Sequence, residues 1–229
     1  MKININPTKT LKLLVLCILI IVTANCVVII AKINLNYYNK FIFEMFNLDQ
    51  ESNVPTYFST LILFFCTFLL ALISLIHKKL GNNYLLWMIL SICFLFLSVD
   101  EFISIHERIG SFLENKFKFT GVLYYSWVIP YSIFVIILAI VYFKYFLLKL
   151  PKKIRFLFII SGGVYITGAV GLEMLGSKAV TIETPSQTLI SILYTIEETL
   201  EMIGISIFIY TLLIYLKEKL KFKIRFKSN

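Results

Sequence analysis

Long apolar stretches alternate with short polar segments along this 229-residue chain. A helix needs about 20 mostly apolar residues to cross the hydrocarbon core of a membrane, and six stretches reach that length. We expect one all-α, membrane-embedded bundle over residues 1–229, because the connections are short and leave no room for a soluble domain. The predicted spans are Leu11–Ala31, Tyr57–Ile76, Tyr84–Phe102, Val122–Leu148, Phe156–Leu175 and Leu189–Leu216.

Two of these stretches carry residues that affect helix shape and packing. Pro130 lies inside the fourth, where it predicts a kink. In the fifth, Gly162, Ile166, Ala169 and Glu173 fall on one helical face. Small residues allow two membrane helices to approach closely, so this face predicts a packing seam that holds Glu173 against a neighbouring helix.

Composition excludes a soluble globular protein, since 59% of the residues are hydrophobic, 15% are charged and the mean hydropathy is +0.87. With a cytoplasmic amino terminus, 16 of the 22 basic residues fall on the cytoplasmic side. The positive-inside rule then predicts that both termini are cytoplasmic, in a bacterial inner membrane.

The net charge of +9 predicts contact with lipid rather than with nucleic acid. We expect the basic tail, residues 217–229, to lie against anionic lipid head groups. Aromatic residues are frequent in the segment Lys32–Thr56, which predicts a short amphipathic helix at the outer interface.

Acidic residues interrupt three of the six stretches at nearly the same depth. Counting 1.5 Å per residue from the cytoplasmic charges places them roughly 24–28 Å from the inner boundary, in the outer leaflet or at its edge. A carboxylate in hydrocarbon costs several kcal/mol unless it is paired, hydrated or protonated. The predicted site therefore contains Asp100, Glu101, Glu173, Glu197, Glu198 and Glu201, with His106 and Glu107 just past the third span.

The positions of these residues around an ideal helix leave one question about local structure open. Asp100 and Glu107 lie on one line of an ideal helix, whereas His106 falls on the far side from Glu101. Either the helix ends near Ser104, or His106 faces a different neighbour. The alternative for the whole set is that these residues are ordinary helix ends in the aqueous interface.

So many carboxylates, with Arg108 as a single nearby fixed cation, cannot all be ionised in a dry pocket. A bound cation, shared protons or access to water would each relieve the repulsion. Two histidines are too few for a three-histidine zinc site. His77 also lies at the cytoplasmic end of the second span, a bilayer away from His106, which excludes a bis-histidine haem and a di-iron bundle with a pair of Glu-x-x-His motifs. There is no nucleotide-binding motif.

A carboxylate-rich site with at most one histidine suits Mg²⁺, Ca²⁺ or Mn²⁺, or proton carriage. The candidate metal ligands are Asp100, Glu101, Glu173, Glu197 and Glu201. The candidate catalytic residues are Asp100, Glu101, His106, Glu107, Glu173, Glu198 and Glu201.

Three motifs carry a resemblance to a known group of proteins. They are Asn53-Val54-Pro55-Thr56-Tyr57-Phe58-Ser59, the run from Ser98 to Arg108 with its Asp-Glu…His-Glu pattern, and Glu197-Glu198-Thr199-Leu200-Glu201-Met202-Ile203-Gly204. Together they resemble a family of small uncharacterised bacterial multi-pass membrane proteins. The resemblance implies the membrane fold and no activity.

Three functions remain open at this point. In the first, a divalent cation and the carboxylates act on a lipid or lipid-linked substrate, with His106 as the acid. In the second, the carboxylates carry protons or cations in a transporter or channel, although the cytoplasmic halves of the spans hold few polar residues. In the third, the polar cluster holds helices together in a partner or assembly protein.

Overall fold

The computed structural model describes residues 2–3, 6–33, 35, 37–220 and 224–225. Six helices in these residues are long and apolar enough to cross a membrane, which confirms the predicted all-α fold and the number of spans. The elements are β1 (Lys2–Ile3), α1 (Pro7–Ile33), α2 (Lys40–Phe46), α3 (Val54–Lys79), α4 (Leu85–Ile103), α5 (Ile105–Phe117), α6 (Val128–Tyr145), α7 (Lys152–Ile166), α8 (Glu173–Val180), α9 (Gln187–Ile214) and β2 (Ile224–Arg225).

The spans alternate in direction, so the bundle has two distinct ends. The terminal end carries both ends of the chain, where β1 and β2 pair antiparallel with Lys2 opposite Arg225. The loop end carries α2 and α5, and α2 confirms the short helix predicted within Lys32–Thr56. Most of the basic tail, at 221–223 and 226–229, lies outside the described residues.

The core of the bundle is built around α9, which packs against α1, α3 and α7. Ile209 and Leu212 of α9, like Leu70 and Ile73 of α3, are fully buried. These four residues face inward while the outer faces of the spans expose leucine, isoleucine and phenylalanine, as expected for a bundle surrounded by lipid rather than water.

Helix α6 stands apart from the other spans. Its buried residues are Val128 and Tyr142, near its two ends, and the side chains between them are exposed or half-buried. The predicted kink at Pro130 is wrong, because α6 begins at Val128 and Pro130 lies in its first turn. A first-turn residue has no intrahelical partner for its N–H, so proline is tolerated there without a bend.

The fifth span consists of α7, a π-helical turn at Thr167–Leu172, and α8. A β-carbon added at Gly168 would lie 2.8 Å from the carbonyl oxygen of Glu197, and one at Gly204 would lie 2.8 Å from the backbone nitrogen of Tyr165. These two glycines therefore form the close seam between the fifth span and α9. The predicted seam at Gly162 is wrong, since a β-carbon there would meet nothing within 4 Å.

A carboxylate-rich candidate site beside α6

A cavity of about 620 Å³ fills the space between α6 on one side and α4, the fifth span and α9 on the other. Its lining runs from Trp127, just before α6, to Leu147, just after it, so it extends about 30 Å along this span. The face of the fifth span with Gly162, Ile166, Ala169 and Glu173 lines this cavity instead of packing against a helix.

The two ends of the cavity differ in chemistry. Toward the terminal end the walls are largely apolar and aromatic, and they include Leu90, Phe94, Leu138, Tyr142, Phe158 and Phe208. Toward the loop end, ten of the 13 acidic residues of the protein line the cavity: Asp49, Glu51, Asp100, Glu101, Glu107, Glu114, Glu173, Glu197, Glu198 and Glu201. All eight residues predicted for the site, including His106, thus lie around one chamber, which we call the acidic chamber.

Asp100 is the structural centre of the first acidic motif. Helix α4 ends at Ile103 and α5 begins at Ile105. Ser104 between them has a left-handed backbone conformation with φ 53°. Asp100 Oδ1 accepts the backbone N–H of His106 at 2.8 Å and lies 3.3 Å from His106 Nδ1. Asp100 Oδ2 accepts the Tyr131 hydroxyl at 3.0 Å. The first alternative for this motif is therefore confirmed: the helix ends near Ser104, and this turns His106 back toward Asp100.

The surroundings of His106 favour its protonated form. Burial on its own lowers the pKa of His106, but the hydrogen bond and charge of Asp100, with the charges of Glu51 and Glu101, outweigh burial and raise the pKa to about 9. The His106 side chain is 19% exposed, and its ring lies 5.0 Å from that of Trp127. His106 is thus a half-buried acid that is already paired with Asp100.

Glu173 anchors the start of α6 to the fifth span. Its Oε1 accepts the indole N–H of Trp127 at 2.7 Å. Asp100 and Glu173 therefore have structural roles, because they fix α6 through Tyr131 and Trp127.

Three other carboxyl groups face the chamber without such a role. Glu101 and Glu198 accept no hydrogen bond from the side chains and backbone that the structure describes, and Glu201 lies beside the Tyr165 hydroxyl. All three are half-buried, and they lie where α4 and α9 face the cavity. They are the carboxylates available to a ligand.

Three acidic residues of the chamber were missed by sequence reasoning: Glu114 of α5, and Asp49 and Glu51 of the loop after α2. Asn25 places this loop: its Oδ1 accepts the backbone N–H of Leu48 at 3.0 Å, while its Nδ2 donates to the Thr195 hydroxyl at 2.9 Å. Asn25 is fully buried in α1, so it ties the loop after α2 to α9. A polar residue inside the otherwise apolar first span was the available signal.

The two acidic residues of this loop have raised pKa values because the loop is buried in the chamber. Burial, together with the charges of Glu173 and Glu107, raises the pKa of Asp49 to about 6. Burial also raises the pKa of Glu51 above its ordinary value. Burial is the main cause of both shifts, and neighbouring carboxylates add to it because each opposes the ionisation of the next.

Two predicted features of the site have a weaker structural basis. Glu107 is exposed at the rim, and Arg108 lies in a separate surface depression with Ser52 and Ser104 rather than in the chamber. Among the described residues, no group of three or more His, Cys, Asp or Glu side chains is placed to hold one metal ion. The divalent-cation site therefore stays a prediction without a ligand cluster to support it.

The fold and the cavity define a multi-pass helical membrane protein with a carboxylate-rich chamber between its spans. The chain belongs to the family described as DUF8692, a domain of unknown function, whose match covers residues 13–216. This confirms the predicted membership of an uncharacterised family. No curated protein and no solved structure matches the chain.

Proposed function

We propose that this protein binds a lipid or lipid-linked molecule in the cavity beside α6. The observation that carries the proposal is the shape and chemistry of that cavity, which is long, apolar toward the terminal end and acidic toward the loop end. Its volume of about 620 Å³ lies within the range of small-molecule sites in proteins. Its length is close to the thickness of the hydrocarbon core, roughly 30 Å.

The apolar part accounts for a hydrocarbon chain. Leu90, Phe94 and Phe208 face Leu138 of α6 across the cavity, so an inserted chain would replace missing contacts between α6 and the bundle. Because α6 is buried mainly near its ends, a ligand could enter from the bilayer along its middle turns. A path for protons or ions has less support, since the lining toward the terminal end contains no Asp, Glu, Lys, Arg or His in the described residues.

The acidic chamber would receive the polar end of the bound molecule. His106 supplies a proton donor, and Glu101, Glu198 and Glu201 supply acceptors. This pairing supports general acid–base chemistry on the head group of a bound substrate. One observation favours a partner or assembly protein instead. The side chains of Asp100 and Glu173 join helices through their hydrogen bonds to Tyr131 and Trp127.

We further propose that the protein lies in a bacterial inner membrane with both termini in the cytoplasm. The distribution of basic residues supports this orientation, which would place the acidic chamber in the outer leaflet. The basic tail would then lie against anionic lipid on the inner face. An alkaline phosphatase fusion after Asn229 should be inactive and one after Ser177 active, and the reverse pattern would contradict the orientation.

Two adjacent glycines allow a matched test of the binding proposal. Gly162 lines the cavity, Gly163 does not, and a β-carbon at either position would meet nothing within 4 Å. Gly162→Leu should fill the cavity and abolish the lipid that co-purifies with the protein, measured by native mass spectrometry after mild detergent extraction. Gly163→Leu should retain that lipid. Equal retention by both variants, or no specific lipid on the unmodified protein, would contradict the proposal.

A further inference from the structure

We propose that the ligand of this cavity is a cationic amphiphile, an alkyl chain that carries an ammonium group and no compensating phosphate. This inference rests on the proposed function and names the chemical class of its ligand. The ammonium group would lie in the acidic chamber beside Glu101 and Glu198, and the chain would extend toward Phe158 at the terminal end.

The ionisable residues around the chamber are almost all acidic. Its lining contains ten carboxyl residues and no lysine or arginine among the described residues. The one basic side chain, His106, is already paired with Asp100 at 3.3 Å. Among the described residues, the other ion pairs join Lys40 to Glu44 and Lys153 to Glu218, away from the cavity. Apart from His106, the described walls therefore offer no cation to the carboxyl groups of the chamber.

Two chamber carboxyl groups lack hydrogen-bond partners among the described residues. Asp100 and Glu173 are satisfied by hydrogen bonds from Tyr131 and Trp127. No hydrogen bond from a described residue reaches Glu101 or Glu198, which are half-buried and line the cavity. Carboxyl groups in such a place need donors, and an ammonium group offers up to three N–H donors together with the opposite charge.

Aromatic residues lie at the same level as these carboxyl groups. Trp127 and Tyr131 line the chamber with ring centroids 5.2 Å apart in an edge-to-face arrangement, and Tyr165 lies near Glu201. The faces of aromatic rings attract cations, which favours an ammonium group over a hydroxyl or an amide. A phosphate would instead meet the surrounding carboxylates, so zwitterionic phospholipids fit this chamber less well.

The test compares three ligands that share one chain: hexadecylammonium, hexadecanol and hexadecanoate. Binding would be measured by equilibrium dialysis of radiolabelled ligand against the protein in nanodiscs of uncharged lipid, with Gly162→Leu nanodiscs reporting partition into lipid alone. We expect the ammonium compound to bind at least about tenfold more tightly than the alcohol, with the carboxylate weakest.

Glu198→Gln should remove most of that difference, because it keeps the size of the side chain and removes its charge. Glu183→Gln changes an acid outside the cavity and should leave the difference intact. If all three ligands bind equally and Gly162→Leu blocks them, the cavity binds chains as proposed but the cationic class is wrong. If none binds above the Gly162→Leu background, the binding function itself is wrong.

Discussion

Replacing Gly168 or Gly204 with alanine should force the fifth span and α9 apart. At Gly168 the new methyl group would lie 2.8 Å from the carbonyl oxygen of Glu197 and 3.0 Å from Cγ of Glu201. At Gly204 it would lie 2.8 Å from the backbone nitrogen of Tyr165. Because the nearest atoms belong to the backbone, no rotation of a side chain can relieve either contact.

The expected change in the free energy of unfolding follows from these distances. Ordinary van der Waals contacts begin at about 3.4 Å, so each methyl group requires the two helices to separate by about 0.6 Å. Overpacking of this kind costs about 1–3 kcal/mol, whereas alanine gains about 1 kcal/mol over glycine in helix propensity. We therefore expect each variant to lose up to about 2 kcal/mol in the free energy of unfolding, and to fall about 1–3 kcal/mol below a control that gains only the propensity of alanine.

The assay is reversible unfolding in mixed micelles with increasing dodecyl sulfate, followed by circular dichroism. Gly163→Ala is the control, since a methyl group there meets nothing within 4 Å and should leave stability unchanged or slightly raised. If Gly168→Ala and Gly204→Ala unfold at the same dodecyl sulfate fraction as Gly163→Ala, then the fifth span and α9 are not as close as described.

Two further predictions concern the polar network around the chamber. Protonated His106 stabilises the fold below its ordinary pKa of 6.5, and this contribution of about 3 kcal/mol is lost as the pH rises through about 9. The melting temperature of the wild type should therefore fall between pH 6.5 and 9, and His106→Gln should remove that dependence; an equally steep fall in the variant would refute the Asp100 pairing. Asn25→Leu should cost about 1–3 kcal/mol because it leaves the backbone N–H of Leu48 unsatisfied. Thr23→Val, whose hydroxyl donates within its own helix, should cost less, and equal melting temperatures for the two variants would argue against the role of Asn25.

The fold could be predicted from the sequence because lipid imposes a simple requirement on length and polarity. Six apolar runs became six helices, and the shared depth of Asp100, Glu173 and Glu201 brought them to one cavity. The end of α4 near Ser104 was also one of two alternatives predicted from the position of His106 on an ideal helix. These features follow from counting residues along single helices, which needs no knowledge of the packing between them.

The close seam with α9 and the position of Asp49 could not be predicted, because both depend on contacts between segments that are distant in the sequence. Gly162 and Gly168 lie about 240° apart around a helix, and the sequence does not say which of the two faces meets α9; the structure places Gly168 there. Asp49 enters the chamber only because Asn25 holds its loop from another helix. Neither effect leaves a periodic pattern in the sequence.

Ligand binding beside α6 is best tested by a structure of the protein in lipid nanodiscs, determined by cryo-electron microscopy with a bound antibody fragment. We expect elongated density between α6 and α4, with its polar end beside Glu101 and Glu198 and its length directed toward Phe158. The same density should be absent from Gly162→Leu. An α6 packed directly against α4, with no space between Leu138 and Phe94, would show that there is no cavity to hold a ligand.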